Sequence, residues 1–309
     1  MPEIVPVRFR NGEGQQLIGM LHLPDAPVAG RPCILLLSPG VKMRVAPHRM
    51  YNKMADTFAR EGFAVLRFDF SGLGDAEGEI EHTQLSHVYN NIQLGRFVGD
   101  TRAALDWLQA EHGFHHFIAG GLCGGAITGL LTAEHDRRII GLLALGIPVA
   151  LDAGDAQWSA HLTRGQLDQL RRSYLRKLLE PASWLRLLSF KSDYRVIWKS
   201  VRRLFDRKIP RPAAPTRDGL PMDNTNPKFA PAFFVMVESG RPMLHIFSGS
   251  DRLAAEFKEK FEERHPGRLA GYQNRVEIHV IDKANHILAH PDWFNEMQAV
   301  SCGWLRRFQ

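Results

Sequence analysis

Residues 119–126 read Ala-Gly-Gly-Leu-Cys-Gly-Gly-Ala, which sets the thiol of Cys123 in a G-x-C-x-G pattern. This is the nucleophile-elbow spacing with sulfur where a hydroxyl is usual. An apolar run, 114–119, precedes it, and a helix-like run, 126–133, follows. The expected context is therefore a strand, a sharp turn and a helix. Such a turn holds its central residue in a strained conformation, so neighbouring side chains must be absent, and Gly121 and Gly125 meet that need. A thiolate at Cys123 is suited to taking up an acyl group covalently.

A nucleophile needs a base and an acid. Downstream, Ser248-Gly249-Ser250-Asp251 follows an apolar run at 243–247, and Ala284-Asn285-His286 follows an expected strand at 276–281. The order nucleophile, acid, histidine is that of the elbow's usual partners. Both residues are expected on loops at the C-terminal ends of strands, where sites in open α/β sheets gather. His286 is then expected to take and return the thiol proton, and Asp251 to orient the imidazole. Asp152, after the run at 139–145, is the fallback acid. The N-terminus of the following helix favours thiolate. Two backbone donors are expected for an oxyanion: the N–H of Gly124, and one from Pro39-Gly40-Val41-Lys42, at Val41 or Lys42. Each residue also has an ordinary reading: Cys123 as a small core residue, Asp251 as a helix cap, and His286 as one of 14 histidines at the surface.

The elements that position these residues are legible as periodicity. Runs 5–10 and 16–23 flank Asn11-Gly12 as a hairpin. Run 33–38 is continuously apolar, as for a strand buried on both faces. Strands are further expected at 64–70, 139–145, 243–248 and 276–281. Helices are expected at 47–60, 95–110, 257–263 and 293–308. Strands alternating with helices predict a mostly parallel sheet with helices on both faces. The alternation stops between 151 and 235, read as a helical, basic cap inserted into a core of 1–150 and 236–309.

The formal charge of +6 is carried unevenly, because residues 164–211 hold fourteen Lys or Arg against four acids. Leu167, Leu170, Tyr174 and Leu178 form one apolar stripe, and Phe190, Tyr194, Ile197, Trp198, Val201, Leu204 and Phe205 another. One reading has both stripes facing the core with solvated cations beside them. The other has them line an acyl pocket, with Trp198 against the substrate and the cations receiving an anionic group. That group would belong to the acyl substrate itself, to an acyl carrier protein or coenzyme A, or to a membrane surface. Arg44, His48 and Arg49, near the proposed oxyanion loop, are further candidates for a substrate carboxylate. Nucleic acid is not expected, since no binding motif accompanies the charge. The three cysteines, Cys33, Cys123 and Cys302, show no CxxC spacing, so no disulfide framework, metal site or cofactor is expected. Without a signal-like N-terminus or an 18-residue apolar stretch, the chain reads as cytoplasmic.

Together, the elbow, the ordered partners and the loop Asp69-Phe70-Ser71-Gly72-Leu73-Gly74-Asp75 resemble the α/β-hydrolase superfamily over nearly all of the chain outside the cap. Arg44-Val45-Ala46-Pro47-His48-Arg49 with Gly121-Leu122-Cys123 is similar to hydrolases of bacterial exosortase gene clusters. Dienelactone hydrolases are similar in their Cys-His-Asp set. The chain departs from the common pattern in having Cys for Ser, and Ser38-Pro39-Gly40 where His-Gly is frequent. The resemblance implies an α/β-hydrolase fold and a hydrolase of esters or thioesters with an acyl-cysteine intermediate. An acyltransferase using the same triad, or a non-catalytic binding protein on the same fold, are the alternatives.

Overall fold

The structure, a computed structural model, describes residues 2–26, 28, 30–80, 84–152 and 223–309. The basic stretch with its two apolar stripes and Trp198 lies outside the described residues. The chain divides into two units, Met1–Asp152 with Thr225–Gln309, and Ala153–Asn224. The first unit thus resumes ahead of the boundary at 235 drawn from the sequence. The helix Phe229–Glu238 belongs to it and packs on the helix that follows Cys123.

The eight strands are β1 (Glu3–Arg10), β2 (Gln16–Leu23), β3 (Cys33–Leu37), β4 (Val65–Phe68), β5 (Phe117–Leu122), β6 (Ile139–Leu145), β7 (Met243–Ser248) and β8 (Val276–Ile281). They form one sheet in the order β1-β2-β4-β3-β5-β6-β7-β8. Strands β3 to β8 are parallel to one another, and β2 runs antiparallel to both β1 and β4. The β1–β2 turn forms because the Asn11 side-chain oxygen accepts from the N–H groups of Glu13 and Gln15, each at 3.0 Å.

The helices are α1 (Met50–Arg60), α2 (Leu85–Gln93), α3 (Val98–His112), α4 (Gly124–His135), α5 (Phe229–Glu238), α6 (Arg252–Lys260), the short α7 (Pro266–Leu269) and α8 (Pro291–Leu305). All five residues of β3 are buried, and alternate ones serve opposite layers. Leu35 and Leu37 join Ala104, Leu130, Phe233 and Phe257 of α3, α4, α5 and α6 in one core. Ile34 and Leu36 join Phe58 and Trp304 of α1 and α8 in the other. Helices on both faces are what a parallel sheet requires.

Three features differ from the sequence expectation. The helix predicted from 47 begins at Met50, because His48 and Arg49 are left-handed (φ 55° and 57°) and close only a 3-10 turn at Pro47–Arg49. Helix α2 is absent from the sequence expectation, although Leu85, Val88, Tyr89 and Ile92 recur along it at helical spacing. The helix predicted at 257–263 begins earlier, at Arg252, with Asp251 as its N-cap.

Glycine sets the closeness of α4 to the sheet. A Cβ on Gly125 would stand 2.1 Å from the Leu37 carbonyl oxygen, and one on Gly121 2.8 Å from the carbonyl carbon of Gly125. Gly125→Ala is therefore expected to force α4 off β3 and to destabilise the protein by about 1–3 kcal/mol, the usual overpacking range. Urea denaturation measures it, and unchanged stability would contradict this packing.

Candidate active site

Cys123 lies between β5 and α4 with φ 53° and ψ −110°, a conformation strained for a residue with a Cβ. The tertiary structure holds it there: its N–H donates to the Leu145 carbonyl at 2.8 Å, and its own carbonyl accepts from the Ile127 N–H at 3.2 Å. The side chain is half-buried and the thiol is free. It stands at the N-terminus of a twelve-residue helix, where negative charge is favoured.

Asp251 and His286 arrive on the loops after β7 and β8. The N–H of Gly249 donates to the Ile281 carbonyl at 2.9 Å, and that of Ser250 to the Ala284 carbonyl at 3.0 Å, so the two loops are laced together. The Asp251 carboxylate divides its work. One oxygen accepts from the Arg252 N–H at 2.7 Å and caps α6, while the other meets His286 Nδ1 at 2.5 Å. One carboxylate oxygen of Asp251 thus caps α6 while the other lies against the imidazole. Asp152 instead pairs its backbone with the Asn90 side chain, at 2.7 and 2.9 Å.

The hydrogen bond to Asp251, and then one to Cys123, push the His286 imidazole up to about 10. Nδ1 is taken by Asp251, so Nε2 is the nitrogen left to meet the sulfur. Beneath the ring lies Gly146, at the end of β6, where a Cβ would stand 3.5 Å from Cε1. A histidine whose folded value exceeds its ordinary 6.5 adds stability that is complete below 6.5 and is lost as pH rises through about 10. The melting temperature of the wild type should therefore fall relative to that of His286→Gln across this window. Parallel curves would contradict the Asp251–His286–Cys123 contacts.

On the oxyanion side, a Cβ on Gly124 would stand 2.7 Å from the Gly40 nitrogen, so the elbow and the loop after β3 meet backbone to backbone. The Lys42 N–H closes a turn onto the Pro39 carbonyl at 3.1 Å, which occupies that donor and corrects its selection from the sequence. Tyr89 of α2 packs on Gly40, where a Cβ would come within 2.9 Å of its ring. Burial and the charge of Cys123 raise its phenol above the ordinary value. Tyr89 and Gly146 border this site without a sequence signal. The first lies in the apolar stripe of a short helix, where a core role is the ordinary reading, and the second is one glycine among 27.

Arg44 does not serve as a free cation. Its guanidinium is paired with the fully buried Asp69 and, at 2.7 Å, with Asp75, and its backbone N–H donates to Asp69 at 2.5 Å. This network anchors the loop after β4 to the loop after β3, so the substrate-carboxylate expectation for Arg44 is corrected to a structural one. His48 and Arg49 are exposed on the same strained loop. A hollow of 210 Å³ opens between His48, Met50 and Lys53 on one side and Ile287, Leu288 and Phe294 on the other. Among the described residues, no group of three His, Cys, Asp or Glu side chains is placed to hold a metal ion. No helix among them is long and apolar enough to cross a membrane.

A sharp strand–turn–helix bearing a strained cysteine, on a mostly parallel eight-stranded sheet with an acid and a histidine after later strands, defines the class. The chain matches the alpha/beta hydrolase family over residues 34–297 and belongs to it. Among solved structures it is similar to an esterase from Pyrococcus furiosus, with 15% identity, a TM-score of 0.60, and coverage of 99% of this chain and 91% of that one. It is also similar to a dienelactone hydrolase from Anabaena variabilis, with 14% identity, a TM-score of 0.59, and coverage of 99% and 98%. An alpha/beta hydrolase from a Penicillium species matches at 16% identity and a TM-score of 0.53, with 99% of each chain covered. No curated protein sequence matches the chain.

Proposed function

We propose that this hydrolase cleaves a carboxylic ester or thioester through a covalent acyl intermediate on Cys123. The observation that carries the reading is the run Asp251–His286–Cys123 ending on the strained residue of the elbow. His286 holds the thiol proton as imidazolium beside the Cys123 thiolate, and the thiolate sulfur adds to the substrate carbonyl carbon. The carbonyl oxygen becomes an anion, which the N–H groups of Gly124 and Val41 receive. Collapse breaks the bond to the alcohol or thiol, which leaves with the proton held by imidazolium. A water molecule then gives a proton to His286 and attacks the thioester. The acid is released, and the Cys123 thiolate is restored beside imidazolium. Asp251 keeps the imidazole in one tautomer and offsets its positive charge throughout.

The similarity in fold to an esterase and a dienelactone hydrolase supports acyl chemistry. For the basic stretch at 164–211 we carry forward an anionic acyl group, an acyl carrier protein or an anionic membrane surface as its partner. A series of chromogenic esters of graded acyl length, assayed with and without an amine or thiol acceptor, tests the reading. Free acid as the product supports hydrolysis, and acceptor adducts would move the chain to acyl transfer. Failure to turn over any ester or thioester would retire the proposal.

A further inference from the structure

Tyr51, on the first turn of α1, is fully buried. Its hydroxyl donates to the Leu37 carbonyl oxygen at 2.7 Å and accepts from the Leu122 N–H at 2.7 Å. Leu37 is the last residue of β3 and Leu122 the last of β5. The residues that follow are, on one side, the loop carrying Gly40 and Val41 and, on the other, Cys123 itself. The two strands pair in register as far as Leu37 with Gly121. Beyond that pair they part, and the Leu122 N–H finds the phenol oxygen in place of a carbonyl on β3. One side-chain hydroxyl therefore replaces one rung of the sheet, at the point where a crevice must open for a substrate carbonyl.

A hydroxyl has one proton to give and lone pairs to receive with. Here both capacities are used by backbone groups on the two strands, which fixes the rotor and the gap it spans. The tyrosine is itself held from behind, its N–H donating to the Val45 carbonyl at 3.2 Å. The ring packs in the core cluster that also contacts Cys123. Phenylalanine fills the same space but leaves the Leu37 carbonyl and the Leu122 N–H buried without this partner.

We propose that Tyr51 is a positioning residue, whose hydroxyl sets the separation between the Cys123 elbow and the oxyanion loop by bridging Leu122 and Leu37. The proposal rests on the acyl-cysteine reading above. The role is exerted through backbone, and Tyr51 touches no reacting atom. Displacing an elbow from its oxyanion donors lowers the rate of acyl addition but leaves sulfur reactivity toward other electrophiles in place.

The test compares wild type, Tyr51→Phe and Cys123→Ala with two probes. A short-chain chromogenic ester reports addition through an oxyanion, and iodoacetamide reports thiolate alkylation with no oxyanion formed. For Tyr51→Phe, kcat on the ester is expected to fall on the order of 10²-fold, the cost of roughly an ångström of misplacement. KM and the alkylation rate are expected to stay near wild type. A wild-type kcat in Tyr51→Phe overturns the proposal, and so does an equal fall with both probes, which marks a merely structural role. Ester turnover that survives Cys123→Ala removes the acyl-cysteine reading and the proposal with it, whereas Cys123-dependent turnover with Tyr51→Phe unaffected removes the proposal alone. Hydrogen exchange on the wild-type protein covers the case in which the variant does not fold. The Leu122 amide should exchange as slowly as those inside β5, and exchange at the rate of exposed loops overturns the bridge.

Discussion

Cys123→Ala should lower ester turnover by about 10⁴-fold or more while leaving the protein folded, the size of loss seen when the nucleophile of such a set is removed. The reason is that, among the described residues, neither of the other two cysteines stands in its place. Cys33 is fully buried in β3, and burial pushes its thiol far above the ordinary value. Cys302 lies on α8, with its thiol pushed up to about 11 by burial. Neither is at an elbow. A companion variant separates strain from chemistry. Cys123→Gly removes the Cβ from a backbone held at φ 53°, and should relieve part of a strain of about 1–3 kcal/mol. It is expected to be inactive and no less stable than Cys123→Ala in urea denaturation. A clearly less stable Cys123→Gly would mean that the elbow is not strained in the way its backbone angles imply.

Asp251→Asn should lose on the order of 10⁴-fold in kcat with little change in stability. The two oxygens of Asp251 make this variant informative. Asparagine still offers a carbonyl oxygen to the Arg252 N–H, and it caps helices as well as aspartate does, so α6 is preserved. What is lost is the carboxylate oxygen 2.5 Å from His286 Nδ1. An amide cannot offset imidazolium charge, and its N–H₂ group favours the wrong tautomer. Asp251→Ala adds the loss of the cap, about 1 kcal/mol. A drop in activity that tracks melting temperature across Asn and Ala would assign Asp251 to capping alone. His286→Ala is expected to match the Cys123→Ala loss, because the two act as one unit.

Much of the fold was legible because buried strands leave apolar runs and the edge strand β8 leaves alternation, Val276, Ile278 and Val280 against Glu277 and His279. Runs 139–145, 243–248 and 276–281 match β6, β7 and β8 residue for residue. The turn at Cys123 was legible because a backbone approach of this kind excludes side chains, which leaves glycines at fixed offsets. Helix α2 was harder to read, since its apolar stripe of Leu85, Val88, Tyr89 and Ile92 spans only nine residues and no side-chain cap marks its start. The side-chain contacts of Arg44 and Tyr51 are with partners 14 to 71 residues away, Leu37, Asp69 and Leu122 among them, and no local pattern encodes such a meeting. The start of α1 was misread because His48 and Arg49 adopt a left-handed backbone that propensity does not anticipate. In the candidate site, residue types and order singled out Cys123, Asp251 and His286, of which Asp251 and His286 meet at 2.5 Å. The choice between Val41 and Lys42 required seeing where the Lys42 N–H goes.

The central claim is a bond between an acyl group and the Cys123 sulfur. The most direct measurement mixes the protein with a chromogenic ester, quenches in acid during the first turnover, and maps the mass increase by peptide mass spectrometry. One acyl group per chain is expected on the peptide carrying Cys123, absent in Cys123→Ala and longer-lived in His286→Ala acylated with a highly reactive ester. An acyl group on another residue, or turnover with no adduct and full activity in Cys123→Ala, would contradict it.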